Sequence, residues 1–272
     1  MPEMSTVLLV IDPQIDFCCP VRGSLFVPGA ERDMQRLAQM VRRHAAEIDA
    51  IHVTLDTHHT VHIAHPIFWV DANGKHPDPF TLIATTDIES GRWSATVPAM
   101  QSRARAYVQA LDRGGRYTLC IWPYHCLIGS EGHAVKPALF DALRGWESGF
   151  RTVNYIQKGA NFLTEHYSAI RADVPDPADP ATQVNEPLID ALRAADRVLI
   201  AGEAGSHCVA NTVQDLVQYL GEQTDRLTLL TDAMSPVPGF EPLQEAFLAE
   251  MMERGLAFRT TETAFGGKMR PQ

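Results

Sequence analysis

The 272-residue sequence predicts an α/β fold: a doubly wound, mainly parallel sheet with helices on both faces. Three observations lead there. Near-continuous apolar runs of strand length recur along the chain, amphipathic segments of helical period separate them, and nearly every run ends in a residue able to do chemistry. Apolar runs without alternation suit strands covered on both faces, and strands alternating with helices are the pattern of a parallel sheet.

In chain order, Thr6 to Ile11 is the first run, and Glu31 to Ile48 follows it with Met34, Leu37, Ala38 and Val41 at helical spacing. Ile51 to Leu55 is the second. The interval from about 64 to 115 contains Phe68, Trp69, Trp93 and a helical pattern over Met100 to Leu111. It exceeds an ordinary connection and reads as an insertion that serves either as a lid or as a contact between copies. Tyr117 to Trp122 is the third run, Val135 to Trp146 a helix, and Thr152 to Ile156 the fourth run. Asp173 to Pro180, acidic and rich in proline, is expected to stay out of regular structure and to move. A helix over Glu186 to Ala194, a strand over Arg197 to Ala201, a helix over Cys208 to Leu220, a strand over Leu227 to Leu230 and a helix over Pro242 to Arg254 complete one domain spanning 1–272.

Lys and Arg number 23 and Asp and Glu 33, a net charge of 23 − 33 = −10, which disfavours a nucleic-acid or anionic-membrane partner and favours a small molecule. No apolar stretch approaches the roughly 18 residues of a membrane span, and Met1 to Thr6 lacks the features of a signal peptide, so a cytoplasmic location is expected. Five cysteines, Cys18, Cys19, Cys120, Cys126 and Cys208, cannot all pair and show no zinc-ribbon spacing. They read as reduced thiols.

In open parallel sheets ligands collect beyond the carboxyl ends of the strands. The residues there are Asp12 to Phe17, Asp56 to His58, Trp122 to Cys126, Lys158 with Gly159, and Gly202 to Cys208. Cys208 stands where glycines and small residues lead from a strand into a helix. Free N–H groups and the helix dipole at that point are expected to lower its pKa and to hold an oxyanion. The competing reading is a buried structural cysteine. Asp12 alone would pass for a turn or cap residue and Lys158 for a solvated lysine. Together with Cys208 they make a nucleophile, a base and a cation. Asp56 and His58, with His62 or His125 closing the set, offer oxygen and nitrogen ligands suited to Zn²⁺, Fe²⁺ or Mn²⁺. Of the same histidine-rich stretch, either His59 or His65 reads as no more than a surface residue.

Asp12 in IDPQIDF, Asp56 and His58 in DTH, WPYHC at Trp122 to Cys126, Lys158 in KGANFLTEHYSA and Cys208 in GEAGSHCVANTVQDL together resemble the nicotinamidase group of the isochorismatase-like cysteine hydrolases. The motifs follow in order along most of the chain. The resemblance implies a Rossmann-like amidohydrolase of nicotinamide or a related aromatic carboxamide, working in NAD salvage through a cysteine thioester. It assigns Asp12 as base, Lys158 as third triad member and Cys208 as nucleophile, with the amides of Ala204 and Cys208 as oxyanion hole and a cis peptide between Glu203 and Ala204. It also implies a divalent metal, Zn first and Fe or Mn next, on Asp56, His58 and His125 with His62 as a fourth ligand. Phe17 and Trp122, with Tyr167, would wall the ring, and assembly into a homodimer or homotetramer is expected.

Two departures stand out against that resemblance. One is the long 64–115 interval; the other is the pair Glu203 and Gly205, which point to a different pocket shape, with Glu203 expected to raise the thiol pKa by like-charge repulsion. Three further readings compete: a carbamoyl or ureido hydrolase with the same triad, a zinc hydrolase in which the thiol is incidental, and a metal-binding scaffold without activity.

Overall fold

Six parallel strands form the central sheet of the computed structural model, which describes residues 4–266. The chain runs β1 (Thr6–Ile11), α1 (Ile15–Cys18), α2 (Ala30–Arg43), β2 (Ala50–Asp56), β3 (Trp69–Val70), β4 (Leu82–Ile83), α3 (Thr85–Glu89), β5 (Ser94–Ala95), α4 (Gln101–Gly114) and β6 (Leu119–Cys120). It continues through α5 (Pro137–Glu147), β7 (Asn154–Lys158), α6 (Glu186–Ala194), β8 (Arg197–Gly202), α7 (Cys208–Leu220), β9 (Leu227–Leu230), α8 (Glu241–Glu253) and β10 (Ala257–Arg259). The sheet order is β10-β9-β8-β1-β2-β7.

This order fixes where the site lies. From β1 the chain steps through α2 to β2 on one side, while from β8 it steps through α7 to β9 on the other. Right-handed crossovers in opposite directions put their helices on opposite faces and leave a crevice between the carboxyl ends of β1 and β8. The strands earn their places by burial. Every residue of β1 is buried, as the unbroken run TVLLVI requires of a central strand covered twice, whereas β7 at the edge buries only Lys158. Helix α2 turns Met34, Leu37, Ala38 and Val41 inward and packs against α5.

Two strand expectations need correction. Tyr117 to Trp122 contributes only the two residues of β6, which pair antiparallel with β4 outside the central sheet. Its neighbours take up its backbone instead: Ile121 N donates to Thr81 O, and Trp122 N to Ala64 O. The sixth strand is β10, whose half-buried sequence Ala-Phe-Arg gives no apolar run to read. The fourth strand lies two residues later than Thr152 to Ile156, so that Lys158 is its last residue. The 64–115 interval is not a surface flap. Trp69 and Ile83 are fully buried, Phe68 nearly so, and all three join the main core, so neither aromatic is available as an exposed contact between copies. Asp173 to Asp179 is free of regular structure as expected, Pro180 opens a short 3₁₀ helix (Pro180–Thr182), and hydrogen bonds such as Asp173 N to Glu165 O and Asp176 N to Thr182 Oγ1 hold the segment in place. Among the described residues no helix is long and apolar enough to cross a membrane.

Candidate active site

Four carboxyl ends meet at the crevice. Asp12 follows β1, Asp56 closes β2, Lys158 closes β7, and the loop after β8 delivers Cys208 as the first residue of α7. Lys158 is the hub. Its Nζ lies 2.8 Å from Asp12 Oδ2, 3.1 Å from Asp56 Oδ1, 2.9 Å from the His166 carbonyl and 3.6 Å from Cys208 Sγ. All four side chains are buried.

Backbone geometry makes this convergence possible. Asp12 adopts φ 43°, a left-handed conformation that Asp tolerates better than most residues, and its amide donates to Thr54 Oγ1 at 3.0 Å. Thr54 returns its hydroxyl proton to Asp12 Oδ1 at 2.5 Å. Gln14 clamps the next strand end by donating to Asp56 O at 2.7 Å and accepting from Asp56 N at 2.8 Å. Gly202 has φ 123°, and a Cβ there would sit 2.0 Å from Ile11 O, so only glycine lets β8 leave the sheet at this point.

The nucleophile loop contains a cis Glu203–Ala204 peptide, at the position the resemblance implies. Among the described residues, neither Ala204 N nor Cys208 N donates a hydrogen bond within the chain, and Cys208 N opens a helix whose first amides have no intrahelical acceptor. The pair of amides beside the thiol therefore has the character of an oxyanion site.

Charge in the cluster differs from the sequence expectation in one respect. Burial, reinforced by Asp12 and Asp56 and opposed by Lys158, pushes the Cys208 thiol well above its ordinary pKa, so burial outweighs the helix terminus and the sulfur rests protonated. Burial raises Asp12 too, against the pull of Lys158, which makes it a stronger base than a free carboxylate. Burial opposes the charge on Lys158, but Asp12, Asp56 and the thiol hold it well above the usual lysine range. Glu203 is not the source of the thiol's shift: its carboxyl faces Asp33 and Ser235 instead.

Asp56 links this cluster to the imidazoles. Its Oδ2 lies 2.9 Å from His58 Nε2 and 3.3 Å from His125 Nε2, and the three donor atoms fall within 4.8 Å of one another. His125 Nδ1 lies 2.8 Å from the Pro123 carbonyl, an oxygen that only accepts, so Nδ1 donates there and Nε2 is the ring nitrogen left facing Asp56. One carboxylate oxygen and two imidazole nitrogens converge here, and this buried donor set fits a divalent metal. Burial opposes ionisation of Asp56, yet His58 and Lys158 hold its carboxyl well below the usual range.

His62 sits elsewhere. Its Nδ1 accepts from Ala64 N and its Nε2 faces Thr164 O, both at 3.2 Å, and it groups with His58 and Glu165 rather than with Asp56 and His125. His59 is exposed, whereas His65 is fully buried, packed against His58, His62, Tyr124 and His125.

Phe17, Trp122 and Tyr167 do line one cavity, together with Leu25, Ala204, His207, Val237, Asp56, His125 and Cys208. Trp122 Nε1 donates to Tyr167 Oη at 2.7 Å, and the two rings meet edge to face. Sequence reading missed Gln14, Thr54 and the His166 carbonyl, which act through backbone contacts, and Leu25 and Val237, which are ordinary apolar residues in loops. His207, adjacent to Cys208 in sequence, also lines the cavity; burial lowers its pKa to about 4, so it does so as a neutral ring.

No family model matches the chain, and no curated protein does. Solved structures do. The yeast nicotinamidase superposes with a TM-score of 0.65 at 20% identity, covering 93% of this chain and 98% of its own. A nicotinamidase/pyrazinamidase of Acinetobacter baumanii gives 0.64 at 20% identity over 96% of this chain and 99% of its own. The pyrazinamidase of Pyrococcus horikoshii in complex with zinc gives 0.54 at 21% identity over 95% and 99%. The chain therefore has the isochorismatase-like α/β fold of the nicotinamidases and pyrazinamidases.

Proposed function

We propose that the protein is a metal-assisted cysteine amidohydrolase acting on nicotinamide or a closely related aromatic carboxamide. The observation that carries this reading is the single ammonium, Lys158 Nζ, in contact with a carboxylate, a thiol and the carboxylate of the imidazole cluster. A binding module has no use for that combination.

In the proposed reaction the ring lies between Phe17 and Trp122, with Tyr167 behind, and presents its carboxamide carbon to Cys208 Sγ. Asp12 takes the thiol proton as sulfur attacks, and Lys158 keeps Asp12 ionised at rest and offsets the thiolate as it forms. The carbonyl oxygen, now negative, is held by the amides of Ala204 and Cys208. Asp12 gives its proton to the nitrogen, the C–N bond breaks, ammonia leaves and a thioester remains. A water molecule loses a proton to Asp12 and attacks the thioester; collapse then breaks the C–S bond, and the sulfur regains the proton. Asp56, His58 and His125 would hold the metal, Zn²⁺ first and Fe²⁺ or Mn²⁺ next, whose chemistry is to bind the ring nitrogen and so orient the carboxamide. His62, with both nitrogens facing backbone, is left out of that ligand set.

The test is ammonia release from nicotinamide, pyrazinamide and a panel of carbamoyl and ureido compounds by metal-loaded protein, chelated protein and Cys208→Ala. Release from the aromatic amides that is lost in Cys208→Ala supports the reading. Turnover that survives Cys208→Ala overturns the thiol mechanism, and release confined to the ureido panel overturns the substrate class.

A further inference from the structure

Glu203 belongs to the loop that carries Ala204 and Cys208, yet the reaction above gives it no task. It is fully buried. Its amide donates to Ile11 O at 2.8 Å, and its Oε2 accepts from Ser235 N at 3.1 Å. Asp33, on α2 and 2% exposed, accepts from Ser235 Oγ at 2.5 Å and pairs with Arg36. One serine therefore joins the two buried carboxyls, Ser235 N to Glu203 and Ser235 Oγ to Asp33, and Glu203 Oε1 is buried with no other hydrogen-bond partner among the described residues.

We propose that Glu203 and Asp33, held side by side on Ser235, share a single proton, and that the resulting hydrogen bond makes Glu203 a positioning residue pinning the nucleophile loop to α2. The catalytic half of this inference rests on the amidohydrolase reading; the shared proton does not. Two ionised carboxylates gathered on one serine in a buried site repel each other, and a proton held between them removes that repulsion and gives the orphaned Glu203 Oε1 a partner. The charged and titratable groups around the pair are Arg36 on the same helix, Asp232 beyond β9 and the Cys18 thiol of α1. Arg36 is the cation among them, and it is divided, donating also to Asp232 O at 2.6 Å. Its side chain is 41% exposed, so it cannot neutralise two buried acids. Burial, followed by the Asp33 charge, holds Glu203 well above the usual carboxylate range, and burial raises Asp33 as well.

The same loop is tied to the 231–237 segment at two further points: Gly205 N donates to Ser235 O at 2.8 Å, and Val237 N to Ser206 Oγ at 3.0 Å. Ser235 thus touches Glu203, Gly205 and Asp33 at once. Losing the proton sets two negative charges against each other at the root of the loop. The amides of Ala204 and Cys208 then lose their fixed geometry while the triad itself is untouched.

The experiment compares wild type, Glu203→Gln and Glu203→Ala by urea unfolding as a function of pH. It adds peptide-mapped alkylation of Cys208 by iodoacetamide and the separate kcat and KM of amide hydrolysis. A raised acid pKa means that the folded state binds more protons than the unfolded one above the ordinary value of 4.5. The wild-type folding constant then falls with rising pH by up to about tenfold per unit relative to Glu203→Gln, which keeps a donor but has no proton to lose. Glu203→Ala loses about tenfold or more in kcat with KM little changed and alters the Cys208 alkylation rate, and Glu203→Gln recovers most of both. Equal pH slopes for wild type and Glu203→Gln would overturn the shared proton, and wild-type kcat in Glu203→Ala would overturn the positioning role. If Glu203→Gln does not fold, Asp33→Asn supplies the same comparison from the other side. Should no amide be turned over by any of these proteins, the slope and the alkylation rate still decide the pair, and the failure falls on the functional reading alone.

Discussion

Two pairs of buried acids flank the Cys208 thiol, and the chain resolves their repulsion in different ways. Asp12 and Asp56 are separated by an ammonium, since Lys158 touches both. Glu203 and Asp33 have a partly exposed arginine on one side, and in our proposal a proton lies between them. A cation keeps its neighbours ionised and ready to accept protons, while a proton keeps its neighbours fixed and chemically quiet. In our reading the difference separates a working base from a structural tie although both use the same functional group.

Removing the cation is the sharpest way to break this contrast. In Lys158→Met both Asp12 and Asp56 stay buried without their ammonium, and the expected cost is about 3–5 kcal/mol at neutral pH. Denaturant titration measures it. The cost shrinks toward acid pH because the stranded carboxyls can take up protons; a loss independent of pH would mean that Lys158 acts through packing. Cys208→Ala, by contrast, leaves stability nearly intact and is expected to lower kcat for ammonia release by at least about 10³-fold. Asp12→Asn is expected to lower kcat by about 10²–10⁴-fold, since it removes the proton acceptor while keeping the shape.

The imidazole cluster sharpens the comparison further, because in our proposal a metal would take there the place that Lys158 and the proton take elsewhere. Zinc at one hundred times its Kd is expected to stabilise the protein by about 2.7 kcal/mol, read as a rise in Tm. His125→Ala should abolish that rise and the bound metal counted by elemental analysis. His62→Gln should keep both, because the two nitrogens of His62 face Ala64 N and Thr164 O. Metal lost in both variants would restore His62 to the ligand set.

Acid pH tests the cation-held pair from its own side. The folded pKa of Asp56 lies well below its ordinary value of 3.8, so the stability it contributes is present above that value and is lost as pH falls through the depressed one. The raised Glu203 runs the other way, its contribution being complete below 4.5 and eroding as pH rises. Stability curves of wild type and Lys158→Met should therefore converge at low pH, and those of wild type and Glu203→Gln should diverge at high pH.

Much of this arrangement was legible in the sequence because strand ends in a parallel sheet have a known address. Apolar runs located β1, β2, β8 and β9 almost to the residue, and the polar groups that follow them converge as the fold requires. Failures came where the backbone, and not the side-chain pattern, decides. The run at Tyr117 to Trp122 is as apolar as a central strand, but its hydrogen bonds go to Thr81 and Ala64 in the long interval. Lys158 ends an edge strand whose last two residues, Gln157 and Lys158, are polar and extend it beyond the apolar run Thr152 to Ile156. The expectation of a lowered thiol pKa failed because the helix terminus is local and readable, whereas full burial beside two carboxylates belongs to the tertiary structure. Glu203 was flagged as unusual, but the direction of its carboxyl depends on Asp33, some 170 residues away in sequence.

The smallest expected effect concerns the wall of the cavity and not its charges. Trp122 Nε1 donates to Tyr167 Oη at 2.7 Å, and both side chains are buried beside His207. Tyr167→Phe removes the acceptor and leaves a buried indole N–H without a partner, at a cost of about 1–3 kcal/mol. Among the described residues no hydrogen bond joins either ring to Lys158 or Asp56, so the loss should be independent of pH over the range in which the two acid pairs titrate. In turnover it should appear mainly as a higher KM for an aromatic amide with kcat retained, because the ring wall contributes equally to ground-state and transition-state binding. A fall in kcat as large as that of Asp12→Asn would show that Tyr167 reaches the reacting carboxamide itself, and would extend the proton-handling region beyond the four strand ends.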